Sequence, residues 1–451
     1  MVIRTGRPLN ESIIIKAVND KLAVNNRLQR LQDYYEGKHD INFRTYSDPT
    51  KPNNRIVANY CKKIADFHTA YLVGTPIRYE APQIVLDTLG YNDEAETTKA
   101  IVRNLNIMGL GSELLYTDED GIPRFASIDP RESIFIMDDS IQGNLTAYIR
   151  LYPNADEPDL YNVTVYTVTD YSEYRMSKAV GELRLYSSPN THFFGDVPAI
   201  LYRGNPEYSG AFEGIIPLQN AINIVMSDEV NDFEGFVDAI LAITGGEATQ
   251  PEDIAKMKRD RVLLLSNETK AEWLIKNVNP AHIEQLKSSI ITKIHEMGSI
   301  PDIERLGSFG TSGVALRYKL IGTEMQAAGV ERVVYRGLQR RLELLYNILR
   351  ITDSSIGLFT DVRMAFERNF VMALDEIDRK RLDLSLVERH TLSKETFLQQ
   401  HKGMTPEEAR EELHRVAVET YTDDHASDYS PENFTERMNE YYGTNGTRQS
   451  N

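Results

Sequence analysis

Apolar residues recur at helical spacing across residues 11–36, with Ile14, Ala17, Val18, Leu22, Leu28 and Leu31 on one side. Gly37 is placed to cap that helix. A second helical pattern runs from Ile56 to Val73 and closes at Gly74-Thr75-Pro76. Pro76 forces its predecessor out of helical geometry, so Ile77–Glu80 reads as a strand. Between about residues 110 and 205 the period falls to two. Leu114-Leu115-Tyr116 runs into a hairpin turn at Thr117–Gly121 and returns as Pro123–Ala126. Ile134–Met137, Ala147–Tyr152 and Val163–Val168 are further strands.

Helical character returns after Gly214. Met226, Val230, Phe233, Val237 and Ile240 follow a 4-3-4-3 rhythm suited to close helix packing. Asp228, Glu229, Asp232, Glu234 and Asp238 lie between them with no basic residue, and read as a solvated acidic flank. Gly245-Gly246 ends the helix. A small α/β insert follows: a helix near Glu252–Lys258, strand Val262–Leu265, a turn at Ser266–Thr269 and strand Ala271–Ile275.

The next helix, Pro280 to Gly298, carries Ile283, Leu286, Ile290, Ile291, Ile294 and Met297 at helical spacing. Another follows to about Arg350, with Val330, Val334, Leu338, Leu342, Leu345 and Leu349. Between them, Pro301 to Gly313 is a loop whose Gly307, Gly310 and Gly313 accept backbone angles closed to other residues. Residues 361–369 alternate like a strand that rejoins the β-rich region, and 378–418 are helical and highly charged. Ser393–Thr396 and Thr405–Glu408 are helix starts. The last thirty or so residues, rich in Asp, Ser, Asn, Gly and Tyr, read as poorly ordered. No internal repeat is present.

At 451 residues the chain fits two to four domains, and 41% hydrophobic with 26% charged residues is a globular composition. No apolar run approaches the roughly 18–20 residues needed to span a bilayer. The N-terminus lacks a signal peptide's apolar stretch. Cys61 is the only cysteine, which excludes an intrachain disulfide and fits a reducing compartment. A net charge of −17 argues against broad nucleic-acid binding. It is compatible with DNA passing an acidic wall to which it does not adhere.

Signs of catalysis are missing. Gly37-Lys38 lacks a Walker A frame, and Gly310-Thr311-Ser312-Gly313 has the wrong spacing for a nucleophile elbow. Asp118-Glu119-Asp120-Gly121 resembles part of a calcium loop without its later ligands, and a hairpin turn explains it. Neither a metal nor a cofactor is expected. One charge pattern departs from the acidic background: Arg332, Arg336 and Arg340 at i, i+4 and i+8 share a helix face. That face either pairs with acidic groups of a neighbouring element or subunit, or approaches DNA phosphates.

Four stretches, in order, resemble tailed-bacteriophage portal proteins of the siphophage type found in Gram-positive hosts. They are Asn54–Asp66 with Tyr71–Tyr79, Gly109–Tyr116 with Ile128-Asp129-Pro130, Asn223–Ala239, and Ile300-Pro301-Asp302 with Ser312–Lys319. The resemblance implies an α+β portal fold and a ring, commonly a dodecamer, at one capsid vertex. Residues 1–223 would be the N-terminal part of the wing, 224–244 a stem helix, 245–280 the clip and 281–300 the second stem helix. The tunnel loop would be 301–313, the long kinked wing helix 314–350, the C-terminal wing 351–385, the crown 386–420, and 421–451 a disordered tail.

The resemblance also implies roles. Asp302, Glu304, Arg305, Gly307, Ser308, Phe309, Gly310, Thr311 and Ser312 would face DNA from the tunnel loop. Asp228, Glu229, Asp232, Glu234 and Asp238 would line the stem, and Val262, Leu264 and Trp273 would build the clip. Partners would be further copies of the chain, double-stranded DNA without sequence specificity, terminase, a head–tail adaptor, scaffold and major capsid protein, with no membrane. The protein would be made in the host cytoplasm, reside in the virion and hydrolyse nothing itself. Two other readings are another phage head or connector ring component, and a metal-dependent enzyme acting on phosphates.

Overall fold

The computed structural model describes residues 1–46, 52–237, 240–244, 270–274, 280–302, 313–353, 356–367, 372–402 and 404–424. The chain divides into two units, Met1–Thr311 with Ala315–Phe370, and Ser312–Val314 with Val371–Asn451.

In the first unit, helix α1 (Glu11–Glu36) follows the predicted apolar side. Asn10 caps its start by accepting the Ile13 N–H, and Gly37 ends it at φ 87°, a left-handed conformation that glycine adopts without strain. The first half of α1 lays Ile14, Ala17 and Val18 on a six-stranded sheet, against Ile134, Ile149, Val163 and Val165. That sheet runs β1-β5-β6-β7-β8-β9: Val2–Arg4, Ser133–Met137, Leu145–Pro153, Leu160–Tyr166, Asp170–Ser177 and Leu183–Thr191. β1 is parallel to β5 and the other pairs are antiparallel.

A three-stranded sheet, β10-β3-β4, joins Ala199–Arg203, Leu110–Thr117 and Pro123–Ile128. Its hairpin pairs Thr117 with Pro123, as the turn chemistry predicts. Asp118 serves that turn by accepting the Asp120 and Ile122 N–H groups.

Helix α2 (Tyr60–Val73) starts four residues later than the apolar pattern predicts, after the Asn59 cap. The reason lies in the partners of residues 54–60, described below. Helices α3 (Gln83–Tyr91) and α4 (Glu94–Met108) fill a stretch that the periodicity reading passed over. β13 (Met364–Ala365) does rejoin the first unit, pairing with β2 (Arg78–Tyr79) and not with a large sheet. Helices α5 (Ile216–Val237) and α6 (Pro280–Met297) pack side by side. Strand β11 (Ile240–Thr244) pairs with β12 (Lys270–Leu274), so the predicted helix to residue 244 gives way to a ribbon.

Helix α7 (Gly313–Thr352) runs for 40 residues. Its inward Val334, Leu338, Leu342 and Leu345 join Ile77, Val85, Leu89, Ile101 and Leu115 in the largest buried cluster. A second cluster gathers Leu28, Leu31, Cys61, Ile64, Ile107, Ile222, Ile294 and Ile300 from α1, α2, α4, α5, α6 and the segment after α6.

The second unit holds α8 (Met372–Glu388), α9 (Lys394–Lys402) and α10 (Pro406–Asp424). Both predicted starts are capped: Ser393 Oγ accepts the Thr396 N–H, and Thr405 and Glu408 form a reciprocal capping box. The helix predicted at 252–258, the strand at 262–265, its turn and the C-terminal tail beyond 424 lie outside the described residues.

Candidate functional site

The region that the resemblance makes the stem is built on α5, whose buried side carries a polar row beside the apolar Ile222. Gln219, Asn223 and Ser227 have no exposed surface, and with Asn231 they form a row at four-residue spacing. Each accepts a backbone N–H from the non-helical segment before α2 or from Tyr60, the first residue of that helix. The bonds are Asn54 N to Asn231 Oδ1 (2.7 Å), Ile56 N to Ser227 Oγ (2.9 Å), Ala58 N to Asn223 Oδ1 (3.0 Å) and Tyr60 N to Gln219 Oε1 (2.9 Å).

The match is geometric. Four residues of helix rise about 6 Å, and two residues of extended chain advance about 6.6 Å, so every second N–H meets every fourth side chain. The match requires extended backbone over residues 54–58, which is not helical, and α2 therefore begins only at Tyr60. Gln219 Nε2 also donates to Ala58 O and to Asn223 Oδ1, and Asn223 Nδ2 contacts the buried His39 ring.

The acidic flank stays open to solvent at Glu229 and Glu234, as the sequence pattern predicts, and three of its carboxylates are also engaged by the chain itself. Arg44 Nη1 bonds Asp228 at 2.7 Å, Lys287 of α6 bonds Glu229 at 2.9 Å, and Asn54 Nδ2 donates to Glu234 at 2.8 Å. Asp232 is half-buried, and Asp238 lies outside the described residues. The 4-3-4-3 seam is also only partly filled: Met226 packs on the second cluster, whereas Phe233 is 76% exposed.

Of the predicted loop residues only Asp302 is described; Glu304, Arg305, Gly307, Ser308, Phe309, Gly310, Thr311 and Ser312 lie outside. Asp302 Oδ2 sits 3.6 Å from Nδ1 of the buried His295, whose Nε2 is 3.3 Å from Lys63 Nζ. Asp302, at the base of the loop, thus faces α6 through His295, and the same ring contacts α2 on its other side. Trp273 stands opposite Leu241 in the β11–β12 ribbon, while Val262 and Leu264 lie outside the described residues.

The three arginines of the basic face do not act alike. Arg340 is bound by Asp196 (2.5 Å) and Glu343 (2.6 Å), whereas Arg332 and Arg336 are exposed with no ion pair among the described residues. Arg341 next to them is buried. It bonds Glu113 at 2.5 Å and Glu94 at 3.0 Å, with Tyr202 donating to Glu113 and Tyr79 to Glu94. Burial pushes the Glu113 carboxyl up, against the pull of Arg341. Burial also opposes the Arg341 charge, but Glu113, Tyr202, Tyr79 and Glu94 outweigh it and hold the guanidinium above its ordinary value. A signal for this was present, since Arg341 falls on the same helix face as Leu338 and Leu345. Among the described residues no group of three His, Cys, Asp or Glu could hold a metal ion.

A profile of the family described as phage portal protein, SPP1 Gp6-like, matches residues 18–424. The portal protein of Bacillus phage SPP1 is 22% identical over 443 residues, covering 91% of this chain and 84% of that relative. A chain from the neck of an empty gene transfer agent particle, computed with C6 symmetry, aligns with a TM-score of 0.46 and 13% identity over 77% of this chain and 90% of its own length. One from the neck of the native particle, computed with C12 symmetry, gives 0.43 and 12% over 76% and 89%.

Proposed function

The chain belongs to the phage portal protein family, SPP1 Gp6-like, and from that membership we propose that its ring conducts double-stranded DNA into and out of the capsid. As a member of that family it is a virion component that forms a homo-oligomeric ring at a capsid vertex and serves a structural role. The proposal adds a dodecameric closure, with the chain made in the host cytoplasm and assembled there with scaffold and major capsid protein.

The family match over residues 18–424 carries the reading, because it takes in the paired helices α5 and α6 together with the helices of the second unit. In this assignment α5 and α6 are the stem. The β11–β12 ribbon with Trp273 belongs to the clip, which meets terminase during packaging and the head–tail adaptor afterwards. Residues 301–313 project into the channel and touch the DNA backbone without reading sequence. The stem carboxylates first lock α5 to α6 and to residues 44–54, as the Glu229–Lys287 and Asp228–Arg44 pairs support. The net charge of −17 keeps DNA from adhering to the wall. Hydrolysis of ATP is left to the terminase.

The test is Gly307→Pro with Gly310→Pro in a phage that packages its own genome. Rings of normal size by negative-stain microscopy with less DNA per capsid are expected. Normal packaging would remove the conformational freedom of these glycines from the mechanism. A wild-type protein that stays monomeric under every assembly condition would remove the ring.

A further inference from the structure

Helix α7 carries a face that its own unit leaves uncovered. Ile321, Met325, Gly329, Arg332 and Arg336 fall within an arc of about 80° at 100° per residue. Ile321 is 48% and Met325 73% exposed, Gly329 has open space where a Cβ would stand, and Arg332 and Arg336 are exposed. The opposite side of the helix holds the buried Leu320, Thr323, Ala327, Val334 and Leu338. An outward helix face is ordinarily polar throughout. Here one half is apolar and the other holds two guanidinium groups without a counter-ion among the described residues.

A matching surface lies elsewhere on the same unit. A cleft of about 310 Å³ between α3 and the start of α4 is lined by Ile77, Leu86, Leu89 and Ala95, with Asp93 and Glu94 beside them. Glu94 is spent on Arg341, Tyr79 and Thr98. Asp93 is not: it stands at the N-cap of α4 in a left-handed conformation (φ 50°), its side chain caps nothing, and its carboxylate has no hydrogen bond or ion pair among the described residues, the backbone alone being bonded, to Gly90 O and Thr97 N–H. An apolar hollow with a spare carboxylate complements a stripe of apolar side chains with spare guanidinium groups. The stripe turns away from the largest cluster while Ile77 and Leu89 of the cleft belong to it, so these are two distinct surfaces. A head-to-tail ring contact requires two such surfaces.

We propose that the outward face of α7 docks into the α3–α4 cleft of the neighbouring copy, with Met325 and Ile321 entering the hollow and Arg332 or Arg336 pairing with the neighbour's Asp93. The proposal rests on the ring reading above and names the contact that closes it.

The test uses the full-length chain and follows the ring-to-monomer ratio by native mass spectrometry at low salt. Arg332→Glu with Arg336→Glu, and separately Asp93→Arg, should each weaken association about tenfold, as loss of an interfacial charge pair does. Combining the three substitutions should restore the ring. Unchanged thermal melting of the monomers confirms that the exposed substitutions leave the fold intact. Rings that persist in each separate variant, or a combination that fails to recover, would overturn the contact while leaving the ring reading in place. Rings that persist but package less DNA would assign the arginines to DNA instead. A wild-type protein that never forms rings would overturn both.

Discussion

Ser227 Oγ accepts the backbone N–H of Ile56 at 2.9 Å, one rung of a ladder in which a helix side and an uncoiled segment share a common repeat. The rung is replaceable by nothing apolar. Ser227→Ala leaves the Ile56 N–H without its acceptor and should lower stability by about 1–2 kcal/mol in denaturant unfolding of the unassembled protein. Asn223→Leu should cost more, about 3 kcal/mol, because it strands the Ala58 N–H, the Gln219 amide and the His39 ring together. Equal effects from the two substitutions would mean that the rungs do not act as a network.

This ladder also marks where sequence reading reaches its limit. Apolar periodicity found α1, α6 and the inward face of α7, because each buries one continuous stripe. It misplaced the start of α2 because the pattern from Ile56 onward carries no record of where the N–H groups go. The same reading treated Asp228 and Glu229 as solvated, which their half-exposed side chains are, but it did not foresee Arg44 and Lys287, which reach them from distant parts of the chain. Charge along the sequence was legible; charge across it was not. Residues 240–244 read as helix because Ile240 continues a seam whose interruption is set by a strand pairing thirty residues away.

Arg341 holds two carboxylates inside the largest cluster. Arg341→Met should destabilise the chain by about 3–5 kcal/mol, since Glu113 and Glu94 would remain buried with no cation. Adding Glu113→Gln and Glu94→Gln should recover a large part of that loss. Recovery would show that the cost lies in the stranded charges and not in the volume of the site, and chemical denaturation reads both steps.

Lys21 supplies a dependence on pH. Its ammonium is buried on the inner side of α1 and donates to Pro130 O at 2.6 Å. Burial lowers its pKa from 10.5 to about 8. Below pH 8 both the folded and the unfolded chain carry the proton, and the folded state bears the cost of the buried charge. Between about pH 8 and 10.5 only the unfolded chain keeps the proton, so this group's contribution to stability rises with pH. Relative to Lys21→Met, the wild type should gain up to about 3 kcal/mol across that window. Parallel stability curves for the two proteins would contradict the assignment.

Gly337 separates two opposing effects of one substitution. A Cβ at this position would collide with the Tyr202 ring, which packs against α7 and donates to Glu113 at 2.6 Å. In an open helix Gly→Ala raises stability by about 0.5–1 kcal/mol through backbone entropy. At Gly337 overpacking should reverse the sign and lower stability by about 1–3 kcal/mol, with Tyr202 pushed off its carboxylate. Gly329→Ala, eight residues earlier in the same helix with open space at its Cβ position, is the internal control and should stabilise the unassembled chain. Opposite signs from two identical substitutions in one helix would show that Tyr202 demands the glycine at 337 and that helix propensity does not.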